Sequence, residues 1–297
     1  MKLKILLIPF CLSIISLNTS AGILFEDSFE SGDLSTTNTE GFSWNGTNRT
    51  SIVTSTTRVY ANNAPDNTPK SNLSPSGDWT PKPNTGSHSL RFSYPAGVAQ
   101  SEQRFNLGAP HRDIWFRYWL RIPSNYSHTG SNPTNRKLFA LWMDGYSNKG
   151  DGPTVIWEFW DDGNSGSRLA FHYSEGGYTG AGRHHQHVPF ISYPTDQGRW
   201  MQIVLHVRAA TSATSNDGII QMWRRWDNEG SFTKLHDTTT ANIPAPHGGP
   251  NGWKAGYVMG WANASYSDDT EWLMDDFTIS NEPLIVTPRR ITSLLIK

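Results

Sequence analysis

The segment from Ile114 to Ile122 constrains the fold most, because apolar residues occupy every second position along it. Alternate residues of a strand share one face, so this segment has one apolar face and one face made of indole and guanidinium groups. Similar short runs recur along the chain between Gly, Pro, Asn and Asp residues, and no apolar stripe has helical spacing. The pattern predicts an all-β protein built as an antiparallel sandwich.

The two ends of the chain are predicted to lie outside the folded domain. A lysine-containing start, an apolar run over 5–17 and small residues ending at Ala21 are typical of a secretory signal, here residues 1–21. Residues 22–285 form the predicted single domain, and residues 286–297 form a tail. We therefore expect an exported protein, extracellular or periplasmic.

Composition narrows the function classes. The only cysteine, Cys11, lies in the predicted signal, so the mature chain has no disulfide and no cysteine nucleophile. A net charge of −1 without long charge runs gives no indication of a nucleic-acid or membrane partner. The 13 Trp, 10 Tyr and 13 Phe residues suit a carbohydrate partner, because indole rings stack on the apolar faces of sugars, although aromatic residues also fill sandwich cores.

Polar and aromatic residues on the second faces of several strands are the candidate sugar contacts. Guanidinium groups bind carboxylate or sulfate in bidentate fashion, and the alternative is cation–π packing beneath a loop. If these faces line one sheet, they form one groove. The candidates are Trp115, Arg117, Trp119, Glu158, Trp160, His172, His185, Trp223 and Arg225.

Three further features allow alternatives. His185 and His187 belong to a histidine cluster that could bind metal or a substrate carboxylate, or simply be solvated. Asp27 and Asp275 stand near the two ends of the domain, where a structural Ca²⁺ is one interpretation. A glycoside hydrolase needs two carboxylates, and the only acidic residue at i+2 or i+4 from Glu158 is Asp162, which falls in a predicted turn.

Several segments, taken in order, resemble secreted polysaccharide lyases of the concanavalin A-like jelly-roll fold, of the alginate, glucuronan and ulvan lyase kind. The segments are Ser101-Glu102-Gln103-Arg104, Trp115 to Trp119, Arg136 to Phe139, Gly198 to Met201, Asn216 to Ile220, Lys254-Ala255-Gly256-Tyr257 and Met274 to Phe277.

The resemblance implies a jelly roll that cleaves an anionic, uronic-acid-containing polysaccharide by β-elimination. It implies Tyr257 as acid and base, Lys137 or His187 as its partner, and Arg104 with Arg117 as neutralisers of the substrate carboxylate. The tyrosine here follows Lys254-Ala255-Gly256 one residue earlier than in that family. We expect a monomer that requires no cofactor. A non-catalytic, lectin-like glycan-binding module and a glycoside hydrolase are the alternative functions.

Overall fold

A computed structural model of the chain describes most of the predicted domain. The described residues are 22–54, 86–128, 135–146, 152–164, 166–174, 186–243 and 252–285. They form antiparallel β-strands only, arranged in two sheets. Within these residues, no helix has the length and apolar character that crossing a membrane requires.

Strands are numbered in chain order. The first sheet has the order β13-β12-β11-β6-β15-β4-β3, and β1 also pairs with β15. Its strands are β1 (Ile23–Asp27), β3 (Thr50–Thr54), β4 (His88–Tyr94), β6 (Asp113–Arg121), β11 (Trp200–Arg208), β12 (Gly218–Trp226), β13 (Thr233–Ala241) and β15 (Thr270–Ser280).

The second sheet has the order β10-β9-β8-β7-β14-β5-β2. Its strands are β2 (Ser43–Asn48), β5 (Gln100–His111), β7 (Asn135–Trp142), β8 (Thr154–Asp161), β9 (Gly166–Ser174), β10 (Gln186–Ser192) and β14 (Trp253–Trp261). Strands distant in sequence, such as β14 and β5, are neighbours here, as jelly-roll connections require. The predicted all-β antiparallel jelly-roll sandwich is confirmed.

The core lies between the two sheets and is rich in aromatic residues. The apolar face of β6 points inward, and Phe116 is fully buried there. Its ring contacts Phe105 and Phe139 of the second sheet, with centroid distances of 5.8 and 5.0 Å. Such ring pairs add to the stabilisation from burying apolar area, so these contacts join the two sheets.

Because both apolar faces point inward, the two polar faces point in opposite directions. Arg117 on β6 and Arg225 on β12 lie on the first sheet, whereas Glu158 on β8 and His172 on β9 lie on the second. The condition for a single groove, that all these faces line one sheet, is therefore not met. Strand parity identified the correct faces, but it carries no information about which sheet a strand joins.

Asp27 and Asp275, the two candidate calcium ligands, each have protein partners. Asp27 accepts hydrogen bonds from Trp44 Nε1 and the Phe29 amide, both at 2.8 Å, and Asp275 accepts one from Ser89 Oγ at 2.9 Å. Burial raises the pKa of both carboxyls, that of Asp275 to about 8. Among the described residues, no group of three or more His, Cys, Asp or Glu side chains is placed to hold a metal ion.

The raised pKa of Asp275 predicts a pH-dependent stability. Between the ordinary pKa of 3.8 and about 8, the folded protein keeps a proton that the unfolded chain releases, so the free energy of unfolding falls as pH rises. In wild type, this proton lowers the free energy of unfolding by up to about 1.4 kcal/mol for each pH unit of increase. We expect Asp275→Asn to abolish this contribution. Urea unfolding at pH 5 and pH 8 measures it. Replacing the exposed Asp227 by Asn is the control, and an equal pH dependence in both variants would contradict the prediction.

Candidate functional site

Two adjacent cross-strand rows organise the outward face of the second sheet. In the first row, His172, Ile156, Ala140, Tyr257 and Arg104 are paired in register across β9, β8, β7, β14 and β5. Small and apolar residues occupy its middle, so the row places a histidine at one end and a tyrosine beside an arginine at the other.

The second row contains the charged pair at the centre of the face. His187, Ala170, Glu158 and Lys137 are paired in register across β10, β9, β8 and β7. We call Arg104, Lys137, Glu158, His172 and Tyr257 the charged face.

A β-bulge brings Lys137 onto this face. Lys137 pairs with Glu158 and Phe139 pairs with Trp157, so Leu138 is an extra residue in β7. Leu138 and Phe139 both point into the core and are fully buried. Strict alternation would put Lys137 on the same side as Phe139, and the bulge moves it to the opposite side.

Glu158 is surrounded by hydrogen-bond donors. Lys137 Nζ donates to Glu158 Oε2, Asn135 Nδ2 donates to the same atom at 2.6 Å, and His172 Nδ1 lies 3.2 Å from Oε1. Burial alone would raise the pKa of Glu158, but the His172 hydrogen bond and the Lys137 charge outweigh it and lower the pKa to about 2. Because an ionised carboxylate only accepts hydrogen bonds, His172 Nδ1 carries a proton.

Tyr257 is buried and hydrogen-bonded to a second tyrosine. Its hydroxyl lies 2.7 Å from that of Tyr146. Burial, together with Tyr146 and the carboxylates Glu102 and Glu158, raises the pKa of Tyr257 well above 10. Tyr257 is therefore a neutral phenol at physiological pH.

Arg104 is the accessible cation of the charged face. Its Nε donates to Glu102 Oε1 at 2.5 Å, and its side chain is 40% exposed. The guanidinium also lies 5.8 Å from the ring centroid of Trp142 and 6.0 Å from that of Tyr146. Since Nε alone bonds Glu102, the two terminal nitrogens can bind an anionic group.

Gly260 marks the point where these groups converge. Its φ of 150° is unfavourable for other residues. A Cβ there would lie 3.1 Å from Lys137 Cβ, 3.2 Å from Tyr257 Cε2 and 3.5 Å from Glu102 Oε2. The Cβ atom of Lys137 and the ring of Tyr257 therefore border the same small space beside Gly260.

Two other candidates lie at the far edge of the same face. Trp160 is half-buried and His187 is exposed, and their ring centroids are 6.5 Å apart. His187 is three strands from Lys137, or about 14 Å at ordinary strand spacing. Partial burial and nearby Arg168 lower the pKa of His187. His185, predicted with it, lies outside the described residues.

The remaining candidates lie on the opposite surface, on the first sheet. Trp115 stacks on His206 at 3.9 Å and on Trp223 at 5.5 Å, and Leu284 belongs to the same buried cluster. Trp115 and Trp223 are each only 8% exposed, so these indoles pack against neighbouring side chains and offer little surface to a sugar. Trp119 is buried as well, whereas Arg117 and Arg225 are half-buried.

Tyr146, Trp142 and Asn135 belong to the site but were not among the sequence candidates. Trp142 lies two residues after Ala140 in β7, so strand alternation puts both on the outward face. Alternation within β7 could therefore have identified Trp142 as a candidate. Tyr146 follows the strand, where periodicity gives no information. Asn135 hydrogen-bonds Glu158 only because β7 and β8 are paired.

Comparisons with known proteins give structural likenesses only. No protein-family profile matches the chain, and neither does any curated protein sequence. Among solved structures, it is similar to the alginate lyase Aly36B, with 14% identity over 67% of this chain and 82% of that chain and a TM-score of 0.45. The alginate lyase vAL-1 from Chlorella virus has 10% identity over 66% and 86%, with a TM-score of 0.41. A peanut lectin has 14% identity over 67% and 87%, with a TM-score of 0.38.

The buried pair of Lys137 and Glu158 predicts strong energetic coupling. Lys137→Met or Glu158→Gln alone should each lower the free energy of unfolding by about 3–5 kcal/mol, because each leaves an uncompensated buried charge. The double variant should lose less than the sum, with a coupling of at least ~1 kcal/mol, measured by urea unfolding.

The exposed pair of Lys234 and Asp237, at 2.9 Å, is the matched control, and its coupling should be below about 1 kcal/mol. A coupling between Lys137 and Glu158 no larger than that of this surface pair would contradict the account.

Proposed function

We propose that the protein is a polysaccharide lyase that cleaves a uronic-acid-containing polymer by β-elimination on the charged face. The observation that carries this proposal is the convergence of Lys137 and Tyr257 beside Gly260, next to the accessible Arg104. Buried ionisable groups are costly to maintain, and clusters of them occur preferentially at functional sites. A base, an acid and an anion-binding cation are the groups that the elimination needs.

Arg104 is the proposed neutraliser of the substrate carboxylate. The C5 proton of a uronate is weakly acidic while the adjacent carboxylate is charged, because removing it creates a second negative charge. A guanidinium with two nitrogens directed at that carboxylate stabilises the developing dianion. Arg104 is paired across strands with Tyr257, so it stands next to the proposed acid. Arg117, on the other sheet, is not part of this step.

The proton transfers are assigned to Lys137 and Tyr257. The step begins from the form in which Lys137 has lost one proton. Its neutral amine takes the C5 proton, the C5–H electrons form the C4=C5 double bond, and the C4–O4 bond breaks. O4 leaves with its electron pair and receives the phenolic proton of Tyr257. The lysine ammonium then returns a proton to the tyrosine phenolate, which restores both groups. The raised pKa of Tyr257 suits the acid role, because it keeps the phenol protonated.

Glu158, His172 and Tyr146 are proposed as positioning residues. Glu158 holds Lys137 on the outward face, and His172 and Asn135 satisfy the remaining carboxylate acceptors. Tyr146 fixes the hydroxyl of Tyr257 at 2.7 Å. These contacts reduce the freedom that the reacting groups lose when substrate binds.

His187 and Trp160 are proposed to contact sugar units away from the cleaved bond. Four strand spacings separate His187 from Tyr257, or about 19 Å, which is too far for both to act on C5 and O4 of one linkage. Of the two partners expected for Tyr257, the geometry favours Lys137.

The alternative functions are less well supported. A hydrolase needs a carboxylic acid that is protonated at working pH, yet the pKa of Glu158 is lowered to about 2 and Glu102 is paired with Arg104. A lectin-like module needs no buried lysine beside a tyrosine. Export through residues 1–21 stays a prediction, and it fits an enzyme that acts on large external polymers.

Replacing Tyr257 tests the lyase proposal directly. We expect the wild-type chain to generate the ultraviolet absorbance of an unsaturated uronate from alginate, glucuronan, ulvan or a glycosaminoglycan. Tyr257→Phe should lower kcat/KM by at least ~100-fold, because it removes the acid. Tyr193→Phe, in the turn that follows β10, is the control and should retain activity. Full activity in Tyr257→Phe, or no unsaturated product from any uronate polymer, would contradict the proposal.

The pH dependence of the rate provides a second test. The elimination needs Lys137 without its extra proton and Tyr257 with its phenolic proton. The active form of the pair has therefore lost one proton, and the rate should rise with pH. Tyr257 stays protonated to well above pH 10, so no alkaline decline should occur below pH 10. Initial rates between pH 6 and 10, with folding monitored by circular dichroism, measure this. A decline centred below pH 10 in the folded protein would contradict the assignment of Tyr257.

A further inference from the structure

A pocket lies on the outward face of the first sheet, on the opposite side of the sandwich from the charged face. Its volume is about 460 Å³, within the ~300–1,000 Å³ that is usual for small-molecule sites. β6, β11, β12 and β15 form its floor, and the end of β1 contributes to its rim. No reacting group of the proposed elimination lies in it.

Arg225 is held rigidly in this pocket. Its Nε donates to Gln202 Oε1 at 2.8 Å, and its guanidinium lies 5.4 Å from the ring centroid of Trp119 and 5.0 Å from that of Phe232. A guanidinium fixed between two rings has already lost most of its rotamer freedom. Trp119 therefore acts as a support for Arg225 rather than as a stacking surface for a sugar.

Arg117 is the second cation of the pocket, and its charge acts on Arg225. Burial and the nearby Arg117 both lower the pKa of Arg225. Among the described residues, no ion pair joins either guanidinium to a carboxylate. Two like charges in a partly buried pocket repel each other, and an anion bound between them would remove this cost.

Hydrogen-bond acceptors complete the pocket. Glu26, Asp27 and Asp276 supply carboxyl groups, and Ser28 supplies a hydroxyl. Carboxylates would repel an acidic peptide along its length, whereas they accept hydrogen bonds from the hydroxyls of a sugar. The combination of two guanidiniums and several acceptors suits a ligand that has one acidic group among many hydroxyls.

We infer that this pocket is an accessory binding site for an acidic saccharide, with the uronate carboxylate or a sulfate ester held between Arg117 and Arg225. The site does not depend on the elimination chemistry. Two binding surfaces on one chain would raise its retention on a long polymer, because the second contact is made at high effective concentration.

Titration calorimetry on the full mature chain tests the site. The background carries Tyr257→Phe, which prevents cleavage, and Arg104→Ala, which removes the proposed carboxylate contact of the charged face. The probes are a saturated uronate tetrasaccharide, a sulfated uronate tetrasaccharide, cellotetraose and a tetraglutamate peptide. Arg117→Ala with Arg225→Ala should weaken binding of one acidic tetrasaccharide at least ~10-fold. The control is Arg112→Ala, which removes a half-exposed arginine paired with Asp217 outside the pocket. Cellotetraose and the peptide should bind at least ~10-fold more weakly than the acidic sugar.

The outcomes separate this inference from the lyase proposal, because binding is measured without turnover. A loss no larger than that of Arg112→Ala, equal binding of cellotetraose, tighter binding of the peptide, or no binding of either acidic tetrasaccharide would overturn it. If the double variant does not fold, Arg225→Lys and Arg117→Gln replace it. Arg225→Lys keeps the charge but loses the planar fork, so it should still weaken binding several-fold.

Discussion

The ion pair between Lys137 and Glu158 is the interaction on which the rest of the site depends. Removing two charges from water is costly, and the pair is tolerated because Asn135 and His172 satisfy the other acceptor positions of the carboxylate. This requirement fixes the relative position of β7, β8 and β9. It also holds the Lys137 side chain on the outward face, where its Cβ and the ring of Tyr257 border the same small space beside Gly260.

The two proposed sites lie on opposite outward surfaces of the sandwich. The second sheet carries buried, mutually hydrogen-bonded titratable groups, which suit proton transfer. The first sheet carries two guanidiniums without carboxylate partners among the described residues, which suit binding of an anion. A sandwich permits this division because each sheet needs only one face for the core. Under the two proposals, the same acidic polymer is held on one surface and cleaved on the other.

Sequence periodicity predicted the fold class and the face of most strand residues. The alternation from Ile114 to Ile122 gave the correct core face, and Glu158 and His172 were correctly assigned to a polar face. It did not predict how the strands assemble. The candidates were divided between two sheets because strand order depends on pairings such as β14 with β5, whose residues are far apart in sequence.

Local irregularities account for the remaining differences. Lys137 reaches the site through the bulge at Leu138, which alternation does not predict. The pKa of Tyr257 is raised because burial and Tyr146 act on it more strongly than any cation does, and neither contact can be inferred from neighbouring residues in the chain. Residue types thus indicated the chemistry, while tertiary pairing decided which groups meet.

A crystal structure of the Tyr257→Phe variant with a saturated uronate tetrasaccharide tests the central claim most directly. The account predicts a sugar across β5, β14 and β7, with its carboxylate at the terminal nitrogens of Arg104 and its C5 facing Lys137. A tetrasaccharide bound only between Arg117 and Arg225, with no sugar on the charged face, would contradict the proposed active site.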